Sequence, residues 1–261
     1  MIIRVDSIEN ITNDVAECIH VPVENMLNDI RRIDFRMGDR QGIEYLMSRD
    51  CEKITEVYLC HLSRRLNQNS GNTLLPLNVL LLTENPFSLF LKKYDIRFEK
   101  SDAGEIELLY QNRLIKWNEI KKPNFRPTRF SKRLNHDFCV NGFQFLHNID
   151  HNTGANYNTY MRVPEFVQDL DFLLNIGLVQ KYRDESSGYI ALCKIPRQEI
   201  LFDKECQMYG FDIRYLYNAL WYIWEYNFAK IRSSVNPILR ASDINSICVE
   251  RWVKEEDICH D

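Results

Sequence analysis

The fold class is indicated by residues 96–117, IRFEKSDAGEIELLYQNRLIKW, in which apolar and polar residues alternate on either side of two turns. Alternation with a period of two is typical of half-buried strands. The DAG sequence at 102–104 and Asn112 favour turns between these strands. The stretch therefore predicts a three-stranded antiparallel meander.

A second sheet signal lies at residues 138–145, FCVNGFQF. Asn-Gly between apolar residues is the strongest short-range signal for a β-hairpin, because both turn positions need a positive φ. The sequence therefore predicts a hairpin that turns at Asn141 and Gly142.

The remaining elements follow from the spacing of apolar residues. Helical spacing predicts helices within 22–50 and at 54–66, 85–91, 164–176 and about 212–231. Extended segments are predicted at 178–183, 189–195 and 246–252. Because helices and strands come in mixed blocks, we expect an α+β fold with a mostly antiparallel sheet. We expect a single α+β domain over residues 1–261, with two lobes meeting near 118–136 as the alternative.

Composition excludes several classes of protein. The 261 residues carry 33 Lys and Arg against 37 Asp and Glu, so the net charge of −4 indicates no global attraction to nucleic acid or membrane. The nine glycines form neither a GxGxxG nor a GK[ST] motif, which argues against P-loop, Rossmann and kinase sites. Eight scattered cysteines without a CxxC pair, and an N-terminus unlike a signal peptide, predict a cytoplasmic protein without a membrane span.

One group of three histidines and a cysteine has a spacing that could form a metal site. His136, Cys139, His147 and His151 could approach one another around the expected hairpin, and zinc accepts nitrogen and sulfur ligands. The gap of seven residues is shorter than in zinc fingers, and Cys139 alternates with apolar neighbours. We therefore expect a core cysteine beside surface histidines, and no metal.

The leading functional signal is the basic segment, residues 116–133, KWNEIKKPNFRPTRFSKR, with seven cations and a single acid. Interleaved aromatics could stack on bases while the cations bind phosphates, and Pro123 and Pro127 favour an extended groove. We therefore expect an intracellular protein that binds or processes a phosphate-bearing ligand, namely RNA, DNA or a nucleotide. The predicted ligand-binding residues are Lys116, Trp117, Lys121, Lys122, Phe125, Arg126, Arg129, Phe130, Lys132 and Arg133.

An alternative reaction is NAD-dependent ADP-ribosyl transfer, as in enzymes of the toxin, effector or defence type. Such chemistry needs a residue on the cofactor ribose, an aromatic against the nicotinamide and a late glutamate. His61, Tyr189 and Glu250 occur in a compatible order and are the candidate catalytic residues, with NAD as the cofactor. His61 lies among apolar residues beside Arg64 and Arg65, which favours a shifted pKa. The alternative for His61 is a core histidine bonded to a backbone carbonyl.

The third hypothesis is a non-enzymatic interaction module. Nine of the twenty residues at 209–228 are aromatic, and Tyr215, Tyr222 and Tyr226 form a stripe on the predicted helix. Tyrosine stripes are typical of interfaces, so this stripe could form a homo-oligomer. The alternative, which the two apolar faces favour, is a helix buried at the centre of the core.

Overall fold

The computed structural model shows the predicted α+β fold with a mostly antiparallel sheet. It describes residues 1–69, 71–122, 125–136, 139–149, 161–202, 209–229, 236–241 and 246–257. No helix in these ranges is long and apolar enough to cross a membrane.

Nine α-helices lie within the described ranges. They are α1 (Ile8–Cys18), α2 (Val23–Ile30), α3 (Arg40–Met47), α4 (Leu77–Leu82), α5 (Pro86–Lys92), α6 (Pro127–Asn135), α7 (Glu165–Leu174), α8 (Leu178–Asp184) and α9 (Phe211–Phe228). The predicted helix at 85–91 is confirmed with its signals in place. The side chain of Asn85 accepts hydrogen bonds from the backbone N–H groups of Phe87 and Ser88, and Pro86 is the first helical residue.

The strands form three sheets. They are β1 (Glu56–Leu66), β2 (Thr73–Leu74), β3 (Ile96–Lys100), β4 (Ile106–Tyr110), β5 (Arg113–Leu114), β6 (Val140–Phe143), β7 (Ser186–Pro196), β8 (Ile200–Phe202), β9 (Ile238–Ala241), β10 (Ile247–Cys248) and β11 (Arg251–Lys254). The main sheet has the order β11-β7-β1-β6-β9-β8, and its paired strands are antiparallel. Strands β3, β4 and β5 form the predicted meander, and β2 pairs with β10.

Buried apolar residues form two clusters. The first cluster surrounds α9, whose Tyr215, Leu216 and Leu220 are completely buried and which packs against α1 and α3. The second cluster gathers the meander, α6, α7 and α8, and it includes Phe130 and Leu134 of α6. The central position predicted for the aromatic helix is thereby confirmed.

Residues 54–66 form strand β1 in place of the predicted helix, which was wrong. Leu59, Cys60 and Leu62 are all buried, so apolar residues occupy both faces of the strand. A strand buried on both faces carries apolar residues at consecutive positions, and some of them coincide with helical spacing. Pairing with β7 along the whole strand decides between the two structures.

Asn141 and Gly142 lie inside strand β6, so the predicted hairpin turn was wrong. A Cβ atom added to Gly142 would approach Cγ of Leu59 to 2.7 Å and the carbonyl oxygen of Cys60 to 2.9 Å. Glycine is therefore required here because β1 approaches closely, and not because the chain turns. Phe138, at the start of the expected hairpin, lies outside the described residues.

Residues 178–183 form helix α8, which corrects the predicted strand. The carboxylate of Asp171 accepts hydrogen bonds from the backbone N–H groups of Leu178 at 2.8 Å and Val179 at 3.1 Å. A carboxylate on the first N–H groups of a helix stabilises it, and this contact is not visible in the local sequence. The strand predicted at 189–195 is confirmed as part of β7.

Two predicted elements are divided in the structure. The helical stretch at 22–50 contains α2 and α3, with Gly38 between them at a φ of 124° that ends the intervening turn. The strand predicted at 246–252 is interrupted at Val249 and Glu250, which separate β10 from β11.

Candidate functional site

A cleft of about 450 Å³ opens where the two clusters meet at the end of β1. Clefts of about 300–1,000 Å³ are typical of small-molecule sites. Its walls come from β1, β6, the chain at 73–77, the start of α7 and β11. The apolar lining includes Leu74, Leu77, Leu80, Phe87, Phe143 and Phe166.

Strand β1 directs three polar side chains to one face of the sheet. His61, Ser63 and Arg65 are alternate residues of the strand, and all three line the cleft. Ala191 of β7 lies opposite His61, and Trp252 of β11 lies opposite Ala191. Opposing residues of antiparallel strands share a face, so Trp252 joins His61 and Arg65.

Arg65 places a positive charge in the cleft and contacts backbone carbonyls and an aromatic ring. Its Nη2 atom donates to the backbone carbonyls of Asn69, at 2.8 Å, and of Gly71. Its guanidinium carbon lies 3.9 Å from the centroid of the Trp252 ring. In the described ranges no carboxylate lies within 4.0 Å of Arg65, and its Nε and Nη1 have no hydrogen-bond partner. Burial lowers the pKa of Arg65, but an arginine remains charged at neutral pH.

Arg64 has a structural role beside this site. Its Nε donates to Oγ of Ser186 at 2.8 Å, and its Nη1 donates to the carbonyl of Met161 at 3.0 Å. Its Nη2 donates to the carbonyls of Arg183 and Ser186. These contacts join β1 to the end of α8 and the start of β7, so the hydrogen-bonding capacity of Arg64 is largely used by the protein.

His61 lines the cleft, and one of its two ring nitrogens is bonded to the protein. Its Nδ1 lies 2.6 Å from the carbonyl oxygen of Asn141, and because a carbonyl only accepts, Nδ1 carries the proton. Burial lowers the pKa of His61, which favours the neutral ring. In the neutral ring Nε2 is an acceptor, and it has no partner within the described part of the chain.

Arg133 also lines the cleft, but its charge is balanced inside the protein. It forms ion pairs with Glu165 and, at 2.7 Å, with Asp169. Glu165 pairs in addition with Arg129 at 2.9 Å. Burial raises the pKa of Asp169, against the opposing effect of Arg133. The two arginines therefore attach α6 to α7.

The balance of charge in the cleft is positive. The side chains of its lining that are ionised at neutral pH are Arg64, Arg65, Arg133 and a single carboxylate, Glu165. The chain as a whole carries a net charge of −4. Glu165 is paired with Arg133, and the charge of Glu255 acts on Arg64, so the excess positive charge of the lining rests chiefly on Arg65. A concave site with apolar walls and an excess of positive charge favours an anion.

The basic segment is folded, which corrects its predicted extended shape. Trp117–Glu119 form a 3-10 turn, and α6 begins at Pro127. Proline suits the first position of a helix, where its missing N–H would be unpaired in any case. Pro123 lies outside the described residues.

The cations of the basic segment divide into engaged and free groups. Lys116 pairs with Glu119 at 3.4 Å. Nζ of Lys122 donates to two carbonyls at the end of α7, at 3.0 and 3.1 Å, where a helix favours a cation. Among the described residues, the cations of this segment that are exposed and have no partner are Lys121, Arg126 and Lys132.

The aromatics of the basic segment belong to the second cluster. Phe130 is only 1% exposed, and its ring stacks on Phe166 with centroids 5.6 Å apart. The rings of Trp117 and Phe125 lie 5.5 and 5.9 Å from that of Phe130. Phe130 is therefore part of the core, whereas Trp117 and Phe125 are half-buried against the same cluster.

The three residues of the transferase hypothesis do not meet at the cleft. His61 lies on a strand and lines it, whereas Tyr189 and Glu250 are not among its lining residues. The ring of Tyr189 packs edge-on against Trp252 at 6.1 Å. Burial, and after it the charge of the exposed Glu250, raises the pKa of Tyr58. Tyr58 and His61 lie on opposite faces of β1, because successive side chains of a strand alternate between its faces.

The tyrosine stripe is part of the core, which corrects its interpretation as an interface. Tyr215 and Tyr222 are 0% and 2% exposed. Tyr226 is half-buried, and its ring lies 5.3 Å from that of His147. Two of the three tyrosines are thus buried within the single chain.

Among the candidate metal-ligating histidines, His136 and His147 lie within the described residues. Within the described ranges no group of three His, Cys, Asp or Glu residues could hold a metal ion. His147 is buried, and its Nδ1 lies 2.8 Å from the hydroxyl of Tyr222. His151 lies outside the described residues.

Of the residues that line the cleft, the sequence singles out His61 and Arg133 as candidate site residues, but not Arg65 or Trp252. The available signal was the alternation of His61, Ser63 and Arg65, which only a strand brings to one face. The apolar residues of this stretch also fit helical spacing, and a helix would not place these three side chains on one face. No signal in the sequence places Trp252 beside Arg65, because their contact depends on the order of β11, β7 and β1.

No family model, curated protein or solved structure matches this chain. Its function is therefore inferred from the cleft and its residues, since the fold alone does not determine function.

Proposed function

We propose that this protein binds a small phosphate-bearing ligand of the nucleotide class in the cleft beside β1. The observation that carries the proposal is Arg65, a half-buried guanidinium with no carboxylate partner in the described ranges. Partial burial lowers the pKa of this guanidinium, so its charge is partly desolvated, and a ligand phosphate would supply a counter-ion. Bonds between guanidinium and phosphate are among the strong, charge-assisted hydrogen bonds.

The shape of the cleft supports a small ligand over a nucleic-acid strand. The site is concave, with an apolar lining that includes Leu77, Phe87 and Phe166. Such walls favour the body of a ligand while a few polar groups orient it. The proposed phosphate-binding site is therefore the cleft, in place of the basic segment that the sequence predicted.

The exposed cations of the basic segment have a secondary role in the proposal. Lys121, Arg126 and Lys132 are free to attract an anion from solution, because charges need no direct contact to raise the rate of encounter. Their effect is screened by salt. They therefore assist the approach of the ligand without determining its bound position.

Calorimetric titration with ATP, NAD and adenosine at low and high ionic strength tests the proposal. We expect ATP to bind, adenosine to bind far more weakly because it lacks phosphate, and the affinity for ATP to fall as salt rises. Equal affinities for ATP and adenosine, or an affinity for ATP that salt leaves unchanged, would contradict it.

A double variant separates the two locations of binding. Replacing Arg126 and Lys132 together with glutamate should slow the association of ATP at low salt and change its affinity modestly. A single-stranded RNA that binds tightly, and loses its affinity in this double variant, would instead assign phosphate binding to the basic segment.

A further inference from the structure

We propose that His61 accepts a hydrogen bond from an N–H or O–H group of the ligand, so that the cleft selects a nucleotide over an inorganic phosphate chain. This inference rests on the proposed binding of phosphate by Arg65. It adds a second point of recognition and a class of ligand that carries both an anion and a distant donor.

The first support is the fixed orientation of the His61 ring. Its Nδ1–H donates to the carbonyl of Asn141 in the neighbouring strand β6 at 2.6 Å. This bond fixes the tautomer, because the other ring nitrogen of a neutral histidine must then be an acceptor. Nε2 has no partner elsewhere in the described part of the protein, and His61 lines the cleft. A ligand donor is the natural partner for it.

The second support is the electrostatic setting of His61. The ionised groups that share the cleft lining with it are three arginines and Glu165, and Glu165 is itself paired with Arg133. Burial lowers the pKa of His61, against the opposing effect of its bond to the carbonyl of Asn141, and so favours the neutral ring. His61 therefore remains an acceptor at neutral pH and does not act as an additional cation for phosphate.

The third support is the arrangement of the two recognition points on one face of the sheet. His61 and Arg65 are four residues apart on β1, which corresponds to about 13 Å between their Cα atoms. The side chain of Arg65 reaches Trp252, which lies level with His61 in the sheet. A ligand that carries an anion and a separate donor can therefore satisfy both residues within the cleft.

His61→Asn is the most informative variant. The asparagine amide can still donate to the carbonyl of Asn141, but it has no acceptor at the position of Nε2. We expect wild-type protein to bind ATP at least tenfold more tightly than inorganic tripolyphosphate, and His61→Asn to reduce that preference about tenfold while its affinity for tripolyphosphate stays unchanged. His61→Gln, whose carbonyl can take the place of Nε2, should recover part of the preference.

Calorimetry of these three proteins with both probes decides the matter. A His61→Asn variant with a wild-type melting temperature and a wild-type preference for ATP would overturn the inference. If wild-type protein binds both probes equally, and both depend on Arg65, then the inference fails and the proposed function stands. If neither probe binds to wild-type protein, the proposed function fails as well.

Two further nucleotides identify the donor. Inosine triphosphate lacks the amino group of the base, and deoxyadenosine triphosphate lacks the 2′-hydroxyl of the sugar. A loss of about tenfold for one of them, absent in His61→Asn, supports the inference and names the group that His61 accepts. Full affinity for both of these and for 3′-deoxyadenosine triphosphate, compared with ATP, would contradict it.

Discussion

The substitution Tyr222→Ser is expected to lower the free energy of unfolding by about 3–5 kcal/mol, because it empties a large buried site and removes a buried hydrogen-bonding hydroxyl. Tyr222 is 2% exposed, and its ring stacks on Phe145 with centroids 4.5 Å apart. Its hydroxyl donates to the carbonyl of His147 at 2.7 Å and lies 2.8 Å from Nδ1 of the same histidine. Chemical denaturation monitored by circular dichroism measures the loss.

Tyr222→Phe is the matched control for this prediction. It keeps the ring in the core and removes only the hydroxyl, so a smaller loss of about 1–3 kcal/mol is expected. A stable, monomeric Tyr222→Ser protein, obtained from an oligomeric wild type, would show that the stripe is an interface and that its burial in the core is wrong.

Arg65→Met is expected to weaken the binding of ATP by about one to two orders of magnitude. The change removes the charge that lacks a carboxylate partner in the described ranges, while methionine retains an apolar chain against Trp252. Adenosine should bind to the variant and to wild type alike, since it carries no phosphate. Calorimetry with ATP and adenosine measures both effects.

Two variants make the Arg65 result specific. Lys132→Met removes the same charge from an exposed site on α6 and should change the affinity for ATP little. Arg65→Lys keeps the charge but loses the planar contacts with Trp252 and with the carbonyls of Asn69 and Gly71. It should therefore bind ATP with intermediate affinity. If Arg65→Met binds ATP as wild type does, the phosphate lies elsewhere.

The sequence predicted elements well where a short stretch carries its own signal. The meander at 96–117 has alternation and turn residues together, and the helix after Asn85 has its cap and its proline. Both signals act between neighbouring residues, so they do not depend on the rest of the chain. The central helix was also predictable, because apolar residues surround it on more than one side.

The prediction failed where distant contacts decide the structure. The stretch at 54–66 is a strand because β7 pairs with it, and Gly142 is a glycine because Leu59 approaches it. Helix α8 begins where Asp171 binds its first N–H groups. The cleft was not predictable for the same reason, since the contact of Arg65 with Trp252 depends on the order of three strands in the sheet.

The most direct test of phosphate-ligand binding in the cleft is the response of the four tryptophan indoles to ATP in a nitrogen-edited NMR spectrum. Trp252 lies in the cleft against Arg65, Trp117 lies in the basic segment, and the other two lie on α9. Phenylalanine variants of Trp117 and Trp252 assign their signals. We predict that saturating ATP shifts the indole signal of Trp252 and leaves that of Trp117 in place. A shift of Trp117 with Trp252 unmoved, or no shift of either, would contradict the account.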